Sequence, residues 1–336
     1  MRTARIKVKA EEGEAVYHCM SKTVNGERLF DDKAKEILRR QFWLVAEFCG
    51  VQILTYAILS NHFHLLVRVP QKTPVADAEL LRRYTLLHPK PTRYQTARLE
   101  VIRAALSADP EVNPEAAEQA RAWRQRQLAL AGDVSAFMKL VKQRFAIWFN
   151  KTHQRFGPLW CDRFKSVLVE GNSRLLETMA AYIDLNPVRA GLVTDPKDYR
   201  FCGYAEAVAG HKPARLGLQA LHGGDWATTQ AGYRQTLFGT AAGPREHGAV
   251  ITPEAFTKVV KEGGRLPLPT VLRCRIRYFN DGAVLGCQAF VEQHLRAYRT
   301  RLHRRERTAP RPLPAFTDWP GHDLATLRGL RLHPFG

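Results

Sequence analysis

Two histidines one residue apart, His62 and His64 in LSNHFHLLV, and a tyrosine four residues before an asparagine, Tyr182 and Asn186 in AYIDLNPV, have the types and spacing to do chemistry. In an extended strand side chains alternate faces, so the two histidines project to one side about 7 Å apart, and imidazoles at that spacing can converge on one ion. Phe63, Leu65 and Val67 then fill the opposite face. By itself an HxH pair is more often a pair of core histidines satisfied by hydrogen bonds, and a third ligand changes that balance. On a helix Tyr182 and Asn186 are neighbours at i and i+4. At about 100° per residue both fall on the margin of the stripe formed by Leu175, Leu176, Met179 and Ile183, the margin that faces the layer beneath. A tyrosine there is, without other evidence, a core tyrosine with its hydroxyl satisfied.

A tyrosine hydroxyl is a poor nucleophile at neutral pH and a phosphodiester repels anions, so attack on one by the other needs a cation or a base close by. A metal held by His62, His64 and Asn186 would act as a Lewis acid on the scissile phosphate and align it for in-line displacement. The products would be a phosphotyrosine and a free hydroxyl. One phosphoester replaces another, so a strand could be rejoined to a different end without a nucleotide cofactor.

The elements that must position these residues are legible in outline. Ala15 to Met20 (AVYHCM) is β-prone and is followed by the turn dipeptide Asn25-Gly26. Residues 31–48 carry apolar residues at helical spacing behind an Asp-rich start, and Gly50 closes the pattern. In VQILTYAILSNHFHLLVRVP two β-rich runs flank the polar break Ser60-Asn61, which predicts a hairpin. SAFMKLVKQRFAIWFNKTH (135–153) reads as an amphipathic helix with Phe137, Leu140, Val141, Phe145 and Trp148 on one face and a basic exterior. RFGPLWCDRFKSVLVEG turns at Gly157-Pro158 and continues as a strand, and RLLETMAAYIDLNPVRAGLV is a helix stopped near Asn186-Pro187.

The chain has 336 residues, 51 Lys plus Arg against 32 Asp plus Glu, a formal charge of +19 and a pI near 10.0. Such a balance favours a polyanionic partner, nucleic acid first, over a small neutral ligand. No segment approaches the roughly 18 apolar residues of a membrane span, and the start MRTARIKVKA has no apolar signal core, so the expectation is a soluble, cytoplasmic, nucleoid-associated protein without a membrane partner. Six scattered cysteines without a CxxC pair suggest neither a zinc knuckle nor a disulfide framework. Residues 71–132 read as a helical insertion, 207–249 as glycine-rich linker or loops, and 250–336 as a basic, mostly helical accessory region with 15 Lys plus Arg against 7 acidic residues.

YAILSNHFHLLV, followed by RFGPLWCDRFKSVLVEG and AYIDLNPVRAGL, resembles the single-tyrosine transposases of the HUH superfamily, in particular the REP-associated tyrosine transposases. The resemblance covers residues 13–206 in order, from YHCMSKTVNGERLF through the hairpin and the tyrosine helix to DYRFCGY. It implies an α+β fold, an antiparallel β-sheet with packed helices of the ferredoxin-like HUH endonuclease type. It also implies a catalytic domain over 13–206, and cleavage and rejoining of single-stranded or hairpin DNA through a covalent 5′-phosphotyrosine. By the resemblance His62 and His64 bind a divalent cation, Tyr182 is the nucleophile and Asn186 completes the metal shell. The cation is Mg or Mn; two imidazoles and an amide oxygen suit Mn better than an all-oxygen Mg site. Many relatives carry proline where this chain has Ser60, a turn change that leaves the ligands alone.

Lys139, Lys142, Arg144, Arg163 and Lys165 lie nearest the motif, with Phe145, Trp148, Trp160 and Phe164 interleaved, and aromatics beside cations are how single strands are gripped. Arg163 and Lys165 alternate with Phe164 and are the leading phosphate contacts, while Phe145 and Phe164 taken singly are better read as core. Two other readings stand beside the transposase: a domesticated DNA-binding protein that keeps the HUH fold without turnover, and a replication or plasmid-transfer nuclease. The last is weakened by the lack of a helicase-like domain and of a second tyrosine on the same helix. The oligomeric state is open, a homodimer among the options.

Overall fold

The computed structural model describes residues 5–239, 267–273, 275–302, 309–313 and 324–326. Its centre is a mixed, mostly antiparallel sheet. Strands β1 (Ala15–Lys22), β2 (Gln52–Ile58), β3 (His62–Val69) and β4 (Lys165–Val169) stand in the order β2-β3-β1-β4, with every neighbouring pair antiparallel. The expected hairpin is β2–β3, turning through Ser60 and Asn61.

The sheet has two different faces, because alternation sends successive side chains to opposite sides. One carries Tyr17, Cys19, Tyr56, Phe63, Leu65 and Val67, all buried, and receives α1 (Asp32–Cys49), against which α5 (Val134–Thr152) packs. Helix α1 starts where the Asp31 carboxylate accepts from the Ala34 amide at 2.7 Å and stops at Gly50, whose φ of 64° is the left-handed conformation glycine tolerates best. Its Phe42 ring packs edge-on against Phe63 and Tyr56, 5.1 and 5.7 Å between centroids. Helix α5 is capped by Asp133 and buries Phe137, Val141, Phe145 and Phe149 at four-residue intervals, as the periodicity requires. Phe145 and Phe164 are core residues, the former among Phe30, Phe149 and Trp160.

The opposite face carries His18, Met20, His62, His64, Leu66 and Val167, and receives α6 (Ser173–Asp184), the tyrosine helix. The Asn172 side chain accepts from the Arg174 and Leu175 amides at its start. Pro187 does not end the helical path outright; it opens the short α7 (Asn186–Arg189), where a missing N–H is harmless.

Between β3 and α5 three helices, α2 (Asp77–Leu87), α3 (Arg93–Ser107) and α4 (Pro114–Leu128), gather a small core of Leu80, Ile102 and Trp123. One expectation is corrected further along the chain. Within 207–249, read as linker or loops, α9 (Lys212–His222) and α10 (Trp226–Phe238) are ordered helices after the short α8 (Gly203–Val208). Gly217 of α9 crosses β2 so closely that a Cβ there would lie 2.4 Å from Ile53 O and 2.7 Å from Leu54 O, so this glycine marks a tight packing contact, not a loop. Within 250–336 the described part is mostly helical, and it also contributes strands. Besides α11 (Leu268–Leu272), α12 (Arg277–Asp281) and α13 (Gln288–Leu302), it adds β5 (Val284–Cys287), parallel to β4, then β7 (Leu324–Thr326) and β6 (Arg311–Pro312), extending the same sheet. The remainder of both ranges lies outside the described residues. Among the described residues no helix is long and apolar enough to cross a membrane.

Candidate active site

His62 and His64 open β3 on the face that receives the tyrosine helix. In the β1–β3 register His62 stands opposite Lys22 and His64 opposite Met20, while His18 stands opposite Leu66. His18 is therefore the diagonal neighbour of His64 on the same face, within reach of its ring. The two rings stack with centroids 5.1 Å apart, and His18 Nε2 lies 2.9 Å from His64 Nδ1. His18 Nδ1 lies 2.8 Å from Phe279 O. His62 meets His64 edge-on, 5.2 Å between centroids, and its Nδ1 lies 2.6 Å from Asn61 Oδ1. His18 lies in the strand AVYHCM with no local signal of its own: without the pairing register a lone histidine in an apolar strand is only a core histidine.

Tyr182 completes the cluster from above. Its ring sits edge-on to His18, 6.4 Å between centroids, and edge-on to Phe279 at 5.0 Å. The Arg189 guanidinium lies over the ring at 4.1 Å, and Arg189 also donates to Leu272 O at 2.6 Å and Tyr182 O at 2.5 Å. Asn280 Nδ2 donates to the Tyr182 hydroxyl at 2.7 Å and to Ile276 O at 3.1 Å. Helices α11 and α12 thus close over the tyrosine, which is 1% exposed. Asn280 carries no sequence signal for this role, since its approach to Tyr182 is a tertiary event; Arg189 reaches Tyr182 locally, seven residues on along the continuing helical path.

The tyrosine helix is pinned at its last residue. Asp184, fully buried, accepts from Thr55 Oγ1 on β2 at 2.9 Å, from Tyr233 on α10 at 2.6 Å and from the Tyr204 amide at 3.2 Å. Burial pushes its carboxyl up to about 7 while those hydrogen bonds pull it back. Asn186 shares the Tyr182 side of the turn. Its amide nitrogen folds back onto Ile183 O at 3.0 Å and Tyr182 O at 3.4 Å, and among the described residues no hydrogen bond joins it to either histidine.

Burial holds His18 and His62 down at about 4 and His64 well below an ordinary imidazole, with the positive charge of Arg189 adding to the effect on all three. Neutral imidazoles are what cation binding needs. Each of His62 and His64 has its Nδ1 taken by a hydrogen bond, which leaves Nε2 to face a ligand, so the pair fits a two-nitrogen share of a divalent site. Among the described residues no group of three or more His, Cys, Asp and Glu is placed to hold a metal, so further ligands would come from an amide such as Asn186, from water or from a phosphate.

The basic residues divide into two groups. Lys165 pairs with Met20 across β1–β4, so His64, Met20 and Lys165 form one cross-strand row on the histidine face. Lys165 is exposed and meets Asp281 at 2.8 Å; Arg163 and Lys139 are exposed as well. The other two are half-buried and hydrogen-bond to neighbouring segments of the chain. Lys142 donates to Asp162 O at 2.7 Å over the Trp160 ring, its ammonium pulled down to about 8 by burial. Arg144 donates to Gln41 Oε1 at 2.9 Å and Leu87 O at 3.0 Å. An amphipathic helix alone cannot tell a solvated cation from one that a neighbouring segment covers.

No protein-family model matches the chain, and no curated protein matches it. Among solved structures, the chain is similar to a REP-associated tyrosine transposase bound to a REP hairpin, at 14% identity and a TM-score of 0.36, over 62% of this chain and 86% of that one. This is a distant structural likeness.

Proposed function

We propose that this protein is a DNA strand-transfer enzyme of the transposase type, acting on single-stranded or hairpin DNA with Tyr182 as nucleophile and His62, His64 and Asn186 as ligands of a divalent cation. One observation carries the reading: residues far apart in sequence form a continuous Tyr182–His18–His64–His62 cluster on one sheet face, beneath the tyrosine helix. When bound, Mg or Mn would supply Lewis-acid polarisation of the scissile phosphate. The sheet holds the two imidazoles; Asp184 and Thr55 hold the end of the helix that presents the phenol. In the step itself a bond forms from Tyr182 Oη to phosphorus and the P–O3′ bond breaks. The phenol gives up its proton to solvent, and the departing 3′ oxygen takes one up as a hydroxyl. The 5′-phosphotyrosine keeps the phosphoester energy, so a later hydroxyl can reverse the step on another end. Lys165, in the row of His64, with Arg163 and Lys139, would hold the strand by its phosphates.

For the phenol to reach a phosphate, Asn280 must release it. That contact favours a second reading, a DNA-binding protein that keeps the fold without turnover. Incubation of the protein with single-stranded hairpin oligonucleotides and Mn or Mg separates the two. The enzyme forms a denaturant-resistant protein–DNA adduct that Tyr182→Phe lacks; the binding protein retains the oligonucleotide without forming one.

A further inference from the structure

The hydrogen bonds around the histidine pair leave one placement of protons. A carbonyl oxygen only accepts, so the contact of His18 Nδ1 with Phe279 O puts a proton on His18 Nδ1. His18 is completely buried, and no ion pair with a carboxylate reaches it among the described residues, so the ring is held neutral and its Nε2 offers only a lone pair. The 2.9 Å approach of His64 Nδ1 to that lone pair then requires the proton on His64 Nδ1. On the second ring, Asn61 Nδ2 donates to Gly26 O at 3.0 Å, which turns Asn61 Oδ1 toward His62 Nδ1 at 2.6 Å and fixes a proton there too. An unconstrained imidazole prefers its proton on Nε2, the nitrogen these rings turn to a ligand.

We infer that His18 and Asn61 are positioning residues that fix the tautomers of His64 and His62, so that both Nε2 lone pairs are presented to one divalent cation before it arrives. The inference rests on the proposed reading of His62 and His64 as cation ligands. The two residues act from separate elements. His18 reaches His64 along the diagonal of β1 and β3, while Asn61 works from the hairpin turn, anchored to the Asn25-Gly26 turn. Each ring has its own orienter, as ligating histidines commonly do.

The test starts without any cation or substitution. Long-range proton–nitrogen correlation spectra of the histidine-labelled, cation-free protein should show His62 and His64 as Nδ1–H tautomers. A proton on Nε2 of either ring would overturn the inference. Mn2+ titration is then compared among wild type, Asn61→Ala, His18→Gln, which keeps an acceptor for His64, and His18→Leu, which does not. His18→Leu and Asn61→Ala should bind Mn2+ about 10- to 100-fold more weakly, His18→Leu should show a mixed His64 tautomer, and His18→Gln should recover most of the affinity. Unchanged Mn2+ affinity and an unchanged tautomer in folded His18→Leu would overturn the role of His18. If wild type shows the expected tautomers yet takes up no Mn2+, the parent reading of the pair as a cation site fails, and the positioning role with it.

Discussion

Asn280 and Tyr182 are joined by a 2.7 Å hydrogen bond in which the amide donates to the phenol oxygen, so a helix from the C-terminal part of the chain holds the candidate nucleophile in a closed pocket. Removing the amide leaves a buried hydroxyl without this partner and loosens α12 over the ring. Asn280→Ala is expected to lower unfolding free energy by about 1–3 kcal/mol, read by urea titration. The same variant should make Tyr182 more reactive to a tyrosine-nitrating reagent, located by peptide mass. Equal stability and equal nitration in the two proteins would show that the contact does not seal the site.

Asp184 makes the fold pH-dependent. Its carboxyl titrates near 7 in the folded chain, against about 3.9 when unfolded. Between those values the folded state holds a proton that the unfolded state has released. The stabilisation is therefore complete below about pH 4 and is lost as pH rises through about 7. Asp184→Asn, which cannot ionise, should flatten the fall in unfolding free energy between pH 4 and 8. A slope identical to wild type would place the titrating group elsewhere.

The division of the cations is open to salt titration. Lys165→Ala should weaken binding to a single-stranded oligonucleotide and reduce the log–log salt slope by about 0.7. Lys142→Ala and Arg144→Ala should leave that slope alone and instead lower the thermal midpoint, because both side chains hold carbonyl or amide oxygens of neighbouring segments. The opposite pattern would make Lys142 and Arg144 the DNA contacts.

Gly217 tests the corrected reading of the segment after residue 207. A Cβ at this position meets two backbone carbonyl oxygens of β2, neither of which can swing aside. Gly217→Ala should cost about 1–3 kcal/mol, whereas in a loop it would be neutral or mildly stabilising. Denaturant titration decides.

The parts of the fold that local pattern specifies were legible in the sequence. The Asp31 cap and Gly50 bracket α1, the Ser60-Asn61 break marks the hairpin, and alternation places His62 and His64 on one face. What depends on pairing was not. His18 becomes a neighbour of His64 only through the β1–β3 register, and Asn280 meets Tyr182 only through packing of a distant helix. Glycine misled in one place: the Gly210 and Gly223-Gly224 breaks suggested continuous loop, but they are the ends of helices, and Gly217 between them is demanded by a close crossing. Strand β5 is only Val284–Cys287, too short to carry a period.

The proposed attack of the Tyr182 hydroxyl on DNA at a cation-holding histidine pair can be tested at the tyrosine itself. Its most direct measurement is peptide mass spectrometry on the protein after incubation with a single-stranded hairpin oligonucleotide and Mn2+, followed by denaturation and digestion. A 5′-phosphonucleotide mass on the peptide bearing Tyr182, absent in Tyr182→Phe and in the His62→Ala/His64→Ala double variant, is the predicted result. An adduct that persists in Tyr182→Phe, or cleavage without any adduct at Tyr182, would contradict it.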